Sequence, residues 1–211
     1  ACRRCNRTAA LEQLKRKGPS QKDVRFVLRC WSEVFLMLIA AAAVITLVVG
    51  DFASTFLYHV PQHAWFTLHL RTHHDRRRSY WDHAVLSSDP SVLLDGLLGA
   101  LPYLVVAALV WRVSWEGAIL GLGLGQLHVW WRHTTELGWK CPAWLRGTMR
   151  PLWVVLPEDH DGHHRNPDIE FGDIFRFYDA PARALLALLA PTSRRMRNAG
   201  RRSQRRTPAR A

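Results

Sequence analysis

Residues 92–131 read VLLDGLLGALPYLVVAALVWRVSWEGAILGLGLGQLHVWW. Up to residue 111 the only charge is Asp95, and from residue 113 the only charge is Glu116, each near the start of its run, with Arg112 between the two runs. Each run approaches the ~20 apolar residues that a bilayer-spanning helix needs. Both are too long for strands, so the stretch predicts a helical hairpin or one bent helical segment, and with it an all-α fold. Residues 34–50 add another uncharged run, seventeen residues long, at the lower limit for a span. Such lengths argue against a soluble helical protein. Trp31, Trp111, Trp115, Trp130 and Trp131 stand at or near run ends, as in an interfacial aromatic belt. Gly117, Gly121 and Gly125 repeat every fourth residue, the small-residue spacing that lets membrane helices pack closely. They do not form a nucleotide loop, since no strand precedes them.

The formal charge of +12 is unevenly placed: residues 1–30 carry +7 and residues 192–211 carry +8, which leaves residues 31–191 at −3. The basicity belongs to the ends. Such ends suit an anionic membrane leaflet, and nucleic acid is not expected as a partner, because no aromatics interleave the C-terminal arginines. The chain therefore divides into a basic N-terminal segment (1–30), a membrane domain (31–191) and an Arg-rich, disordered tail (192–211). Cys2 and Cys5 form a lone C-x-x-C with no second pair at zinc-finger spacing. Residues 181–189 predict a short apolar helix for the membrane surface.

All eleven histidines lie between His59 and His164. Ten form four groups: His59-x3-His63, His69-x3-His73-His74, His128-x4-His133 and His160-x2-His163-His164. Imidazole is the commonest biological metal ligand. Residues four apart share a helix face, so His59/His63 and His69/His73 each present a pair. One helix through both groups would collect five histidines, though Pro61 would bend or start it. His160, His163 and His164 lie within one helical turn, and an adjacent pair such as His163-His164 can serve two metals. His128 and His133 fit less well, about 140° apart on an ideal helix, so His133 is expected past the helix end. Ten ligands exceed the needs of one metal, and about five for each of two is natural. His83 stands outside the groups and reads as a surface or satisfied core residue. Transport of a metal would favour ionisable residues within the spans, and most histidines lie outside them.

These groups resemble the histidine boxes of the fatty acid hydroxylase/sterol desaturase superfamily of membrane di-iron oxygenases. Flanking residues agree. Asp51-Phe52 stands before the first box, and His133-Thr134-Thr135-Glu136-Leu137-Gly138 resembles the third region. Pro157-Glu158-Asp159-His160-Asp161-Gly162-His163-His164 resembles the last signature, and Phe171-Gly172-Asp173-Ile174-Phe175 the closing segment. The resemblance covers about residues 51–180. The tight spacing of the first two boxes and the loose third pair depart from it.

The resemblance implies an integral, multi-pass helical bundle with a histidine-rich di-metal site at the cytoplasmic membrane edge. His59, His63, His69, His73, His74, His128, His133, His160, His163 and His164 would hold two irons. The activity implied is O2-dependent hydroxylation of a membrane lipid. The alternatives are a desaturase or aldehyde-forming enzyme of the same superfamily, or a non-catalytic metal-handling membrane protein. Asp82, Glu158, Asp159 and Asp161 are candidates to accept the second ring N–H of ligating histidines. Trp130 and Trp131 would line the substrate entrance or anchor the interface. No haem, flavin or NAD(P) motif is present, so electrons would come from a separate donor protein. The hairpin places all four groups on one face with the Arg-rich tail, the cytoplasmic face by the positive-inside tendency. A single crossing at 34–50 would then leave the basic N-terminus outside, so either that run is not a simple span or a segment precedes it.

Overall fold

A computed structural model describes residues 21–75 and 77–190. Cys2, Cys5 and the Arg-rich tail lie outside the described residues. The chain forms α1 (Gln21–Ser54), a π-helical turn (Thr55–His59), α2 (Val60–Ala64), α3 (Leu68–Thr72), α4 (Tyr80–His83), α5 (Pro90–Val110), α6 (Trp115–Arg132), α7 (Ala143–Met149), α8 (Pro157–Arg165) and α9 (179–190). Among the described residues the only β contact is an isolated bridge between Val154 and Phe175. The fold is all-helical.

Residues 21–30 are helical and continuous with the apolar run. No glycine or proline interrupts residues 21–49, so nothing stops the helix. Two helices, Leu28–Ala64 and Pro90–Val110, are long and apolar enough to cross a membrane. The third run, α6, is less apolar, with Glu116, Gln126, His128 and four glycines in eighteen residues.

The hairpin turns at residues 111–114, where the Ser114 hydroxyl accepts the Gly117 N–H at 3.1 Å and caps α6. Asp89 caps α5 by accepting the Ser91 N–H at 2.8 Å, with Pro90 in the first turn. α1 packs along both arms. A Cβ on Gly117 would fall 2.4 Å from the Ile39 carbonyl oxygen, and one on Gly121 2.7 Å from Thr46 Cβ. Only glycine lets the two backbones approach this closely. Gly125, the third of the repeat, has ordinary room, with Leu47 at 3.6 Å.

The first two histidine groups do not share one helix. Pro61 brings no N–H and would crowd the carbonyl one turn back. The chain widens into the π turn that carries His59, continues as α2, and breaks at residues 65–67 before α3. α9 is not a free surface helix. Its Ala182 is buried against Val60 and Phe171, with Leu185, Leu186 and Leu189 packed around them.

Candidate metal centre

Nine of the ten grouped histidines meet at one end of the bundle, in two adjoining sets. His59, His63, His69, His74 and His163 form one, and His73, His133, His160 and His164 the other. The sets cut across the sequence boxes. His73 and His74 separate, one into each set, and so do His163 and His164. Within each set the offered ring nitrogens lie within 4.8 Å of one another. In the second, His160 Nε2 is 3.2 Å from His73 Nε2, 2.9 Å from His133 Nε2 and 3.1 Å from His164 Nε2. Neighbouring nitrogens on a metal at ~2.1 Å stand about 3.0–3.4 Å apart, so the spacing fits a shared cation.

Backbone carbonyls determine which nitrogen carries the proton. A carbonyl oxygen only accepts, so an imidazole nitrogen bonded to it must donate. His59 Nδ1 donates to Phe171 O at 2.9 Å, His163 Nδ1 to Ile169 O at 2.6 Å, and His133 Nδ1 to Val129 O at 2.7 Å. Their Nε2 lone pairs are thereby aimed inward. His59 Nε2 and His163 Nε2 face each other at 3.0 Å. Two neutral lone pairs at that distance repel, and a cation between them removes the conflict. His63 Nε2, His69 Nε2, both nitrogens of His74 and His160 Nδ1 are buried without a hydrogen-bond partner. A buried polar atom left alone is costly. The residues fit a metal pair.

Burial, reinforced by neighbouring charges and imidazoles, depresses the ring pKa values. His73 and His164 are held well below 6.5 by burial and by surrounding imidazoles, and His133 and His160 by burial and the adjacent Arg132. His163 is lowered to about 4 and His74 to about 2, burial being the main cause in each. These six rings are thus held toward the neutral form, with lone pairs ready for a metal. Below pH 6.5 the unfolded chain takes up protons that the folded cluster refuses, so the stability of the metal-free protein falls with pH. Thermal unfolding in detergent is expected at progressively lower temperature from about pH 7 to about pH 5. A transition that rises over this window would contradict the neutral cluster.

The structure leaves His128 out of both sets. It lies on α6, roughly 140° from His133 by helical phase, and its Nε2 donates to Val155 O at 3.0 Å. That bond ties α6 to the segment before α8, and His128 shares no ligand group with the clustered rings. The four acids expected behind the histidines are also engaged elsewhere. Asp82 closes a capping box with Ser79, Glu158 accepts from the Cys141 N–H and pairs with Arg146, Asp159 accepts the Leu156 N–H, and Asp161 pairs with Arg165. Two other carboxylates reach clustered rings: Asp95, with Oδ2 3.1 Å from His69 Nδ1, and Asp173, with Oδ1 3.7 Å from His59 Nδ1. Tyr58 donates to Asp95 from the other side. Asp95 was readable as a lone charge in an apolar run, a position that membrane proteins reserve for function.

An apolar cavity of about 500 Å³ lies between α5 and α6 and ends on His59, His69, His73 and His83. Its walls include Gly99, Ala100, Leu104, Ile119, Leu122 and Gly123. The α6 residues involved, Ile119 to Arg132, span about 20 Å of helix. Trp130 and Trp131 are not among its walls. Trp131 instead packs on His128 and Trp139.

Two sets of buried imidazoles able to hold metal thus stand beside an apolar cavity, in an all-helical chain with two helices of membrane length. The fatty acid hydroxylase family profile matches residues 43–182, and the chain belongs to that family, within the fatty acid hydroxylase/sterol desaturase superfamily. The match covers the two sets and the cavity. No curated protein and no solved structure matches the chain.

Proposed function

We propose that the chain is a membrane-embedded di-iron oxygenase that hydroxylates a lipid at an unactivated C–H bond, with O2 as oxidant and electrons from a separate protein. The observation that carries the reading is that both imidazole sets reach one apolar cavity, through His59 and His69 of the first and His73 of the second. A pair of irons, when bound, supplies oxidation of the C–H bond by O2. The chain's own residues do the rest. His59, His63, His69, His74 and His163 would hold one iron, and His73, His133, His160 and His164 the other. The Asp95 carboxylate and the carbonyls of Phe171, Ile169 and Val129 orient the rings and keep the donating lone pairs inward. The cavity walls exclude water and hold an acyl-like chain beside the centre, the usual role of an apolar site of roughly 300–1,000 Å³. The helices Leu28–Ala64 and Pro90–Val110 would cross the bilayer, with the histidines facing the cytoplasm by the positive-inside tendency.

The test is expression in membranes with iron and an electron donor, followed by mass spectrometry of the lipids. Oxygenated lipid together with bound iron is the expected result. Desaturated lipid would move the outcome to the desaturase branch, and no modified lipid with no bound iron would sink the proposal. Gly123 gives a sharper probe. A Cβ there meets nothing within 4 Å and Gly123 lines the cavity, so Gly123→Phe would fill the cavity from one wall. Products are expected to shift to shorter chains, or disappear, with metal content unchanged. An unaltered product profile would place the substrate elsewhere.

A further inference from the structure

The two imidazole sets are unequal, five rings against four, and an eleventh histidine stands at the smaller one. His83 is only 3 % exposed. Its ring is stacked on His133 with centroids 5.7 Å apart, and lies 4.9 Å from His164 and 5.5 Å from His73. Neither ring nitrogen makes an aligned hydrogen bond. Glu136 approaches from the outer side, with Oε1 2.5 Å from His83 Nδ1. Ligand atoms of His83, Glu136 and His164 all lie within 4.8 Å of one another. The ring is carried on α4, a single turn held by the capping box of Ser79 and Asp82.

We infer that His83, and not His128, is the fifth imidazole of the second metal, with Glu136 as the carboxylate that orients it. This rests on the metal-centre reading above. A carboxylate against one ring nitrogen leaves the other as the donor, the arrangement found behind metal-bound histidines. His128 does not take that place, because its ring shares no candidate ligand group with any member of the second set, whereas His83 shares one with His164. With His83 included each metal is served by five imidazoles, and the buried ring acquires the partner it lacks.

The experiment titrates the purified full-length protein in detergent with cobalt(II), reading stoichiometry by elemental analysis and ligand field by visible absorption. His83→Ala is expected to weaken the second cobalt by at least ~10–100-fold and alter its spectrum, and exogenous imidazole is expected to restore both. Glu136→Gln, at a partly exposed position, should weaken the same cobalt more mildly. It serves as the second variant if His83→Ala does not fold. His128→Gln, which retains a donor for Val155 O, should bind both cobalts as the parent does. Parent-like affinity and spectrum in both His83→Ala and Glu136→Gln would overturn the inference. So would a third cobalt in the parent, if that cobalt alone is lost on His83→Ala. A parent that binds no cobalt or iron would instead overturn the metal-centre reading on which the inference rests.

Discussion

His160→Ala is expected to lose one metal of two and essentially all turnover, while the first imidazole set keeps its ion. His160 Nε2 is 3.2, 2.9 and 3.1 Å from the Nε2 atoms of His73, His133 and His164. It is the hub through which the second set closes. Its ring is 1 % exposed, and its Nδ1 has no hydrogen-bond partner. Alanine therefore breaks no hydrogen bond to the rest of the fold, and the loss falls on the metal. Losing an outer partner of a metal-bound histidine costs about 10–100-fold in affinity or activity, and removing a donor at the hub should exceed that. None of His59, His63, His69, His74 and His163 depends on His160 for its orienting carbonyl or carboxylate. Iron analysis and oxygen consumption on the same preparation measure both effects. Two irons retained, with turnover intact, would remove the second set from the chemistry.

The sequence displays the ingredients of this centre more clearly than its wiring. The His59/His63 pair is legible from helical phase alone, and so is the parting of the adjacent His163 and His164 into two imidazole sets. The membership of His69 and His73 is not. His69 lies on α3 and His73 just past its end, one turn on, yet they fall into different sets, because the break at residues 65–67 and the crossing of α8 decide which rings each one meets. The orienting carbonyls are invisible in principle, since every residue carries one and only the fold selects Phe171, Ile169 and Val129. The acids nearest to the histidines in sequence are spent on helix caps and arginines. Asp95 reaches His69, 26 residues away in sequence, and Glu136 reaches His83 rather than its neighbour His133, both through packing. The hairpin shows the opposite balance. Two long apolar runs with a single charge each, Asp95 and Glu116, and Arg112 between them are local signals, and they sufficed to predict it.

Asp51→Leu is expected to destabilise the protein by about 3–5 kcal/mol and to loosen the first metal as well. Asp51 is fully buried on α1. Its carboxylate accepts the backbone N–H groups of Asp173, Ile174 and Phe175 at 3.0, 3.1 and 2.7 Å, and the Tyr103 hydroxyl at 3.3 Å. Leucine leaves three buried donors with nothing to bond, at about 1–3 kcal/mol each when not relieved by relaxation. Those donors belong to a strap that also carries the Phe171 and Ile169 carbonyls behind His59 and His163. Asp173 on the same strap accepts from Arg132 and Ser54, so the strap is pinned to α6 and α1 together. Release of its Asp51 anchor frees two rings of the first set to turn their lone pairs away. The unfolding temperature in detergent should fall by on the order of 10 °C, with weaker retention of one metal against a chelator. Asp51→Asn should be intermediate, because an amide offers one acceptor oxygen and turns its NH2 toward the remaining donors. Equal stability and equal metal retention in Asp51→Leu would show that the strap is held by its other contacts, and that Asp51 has no part in placing the ligands.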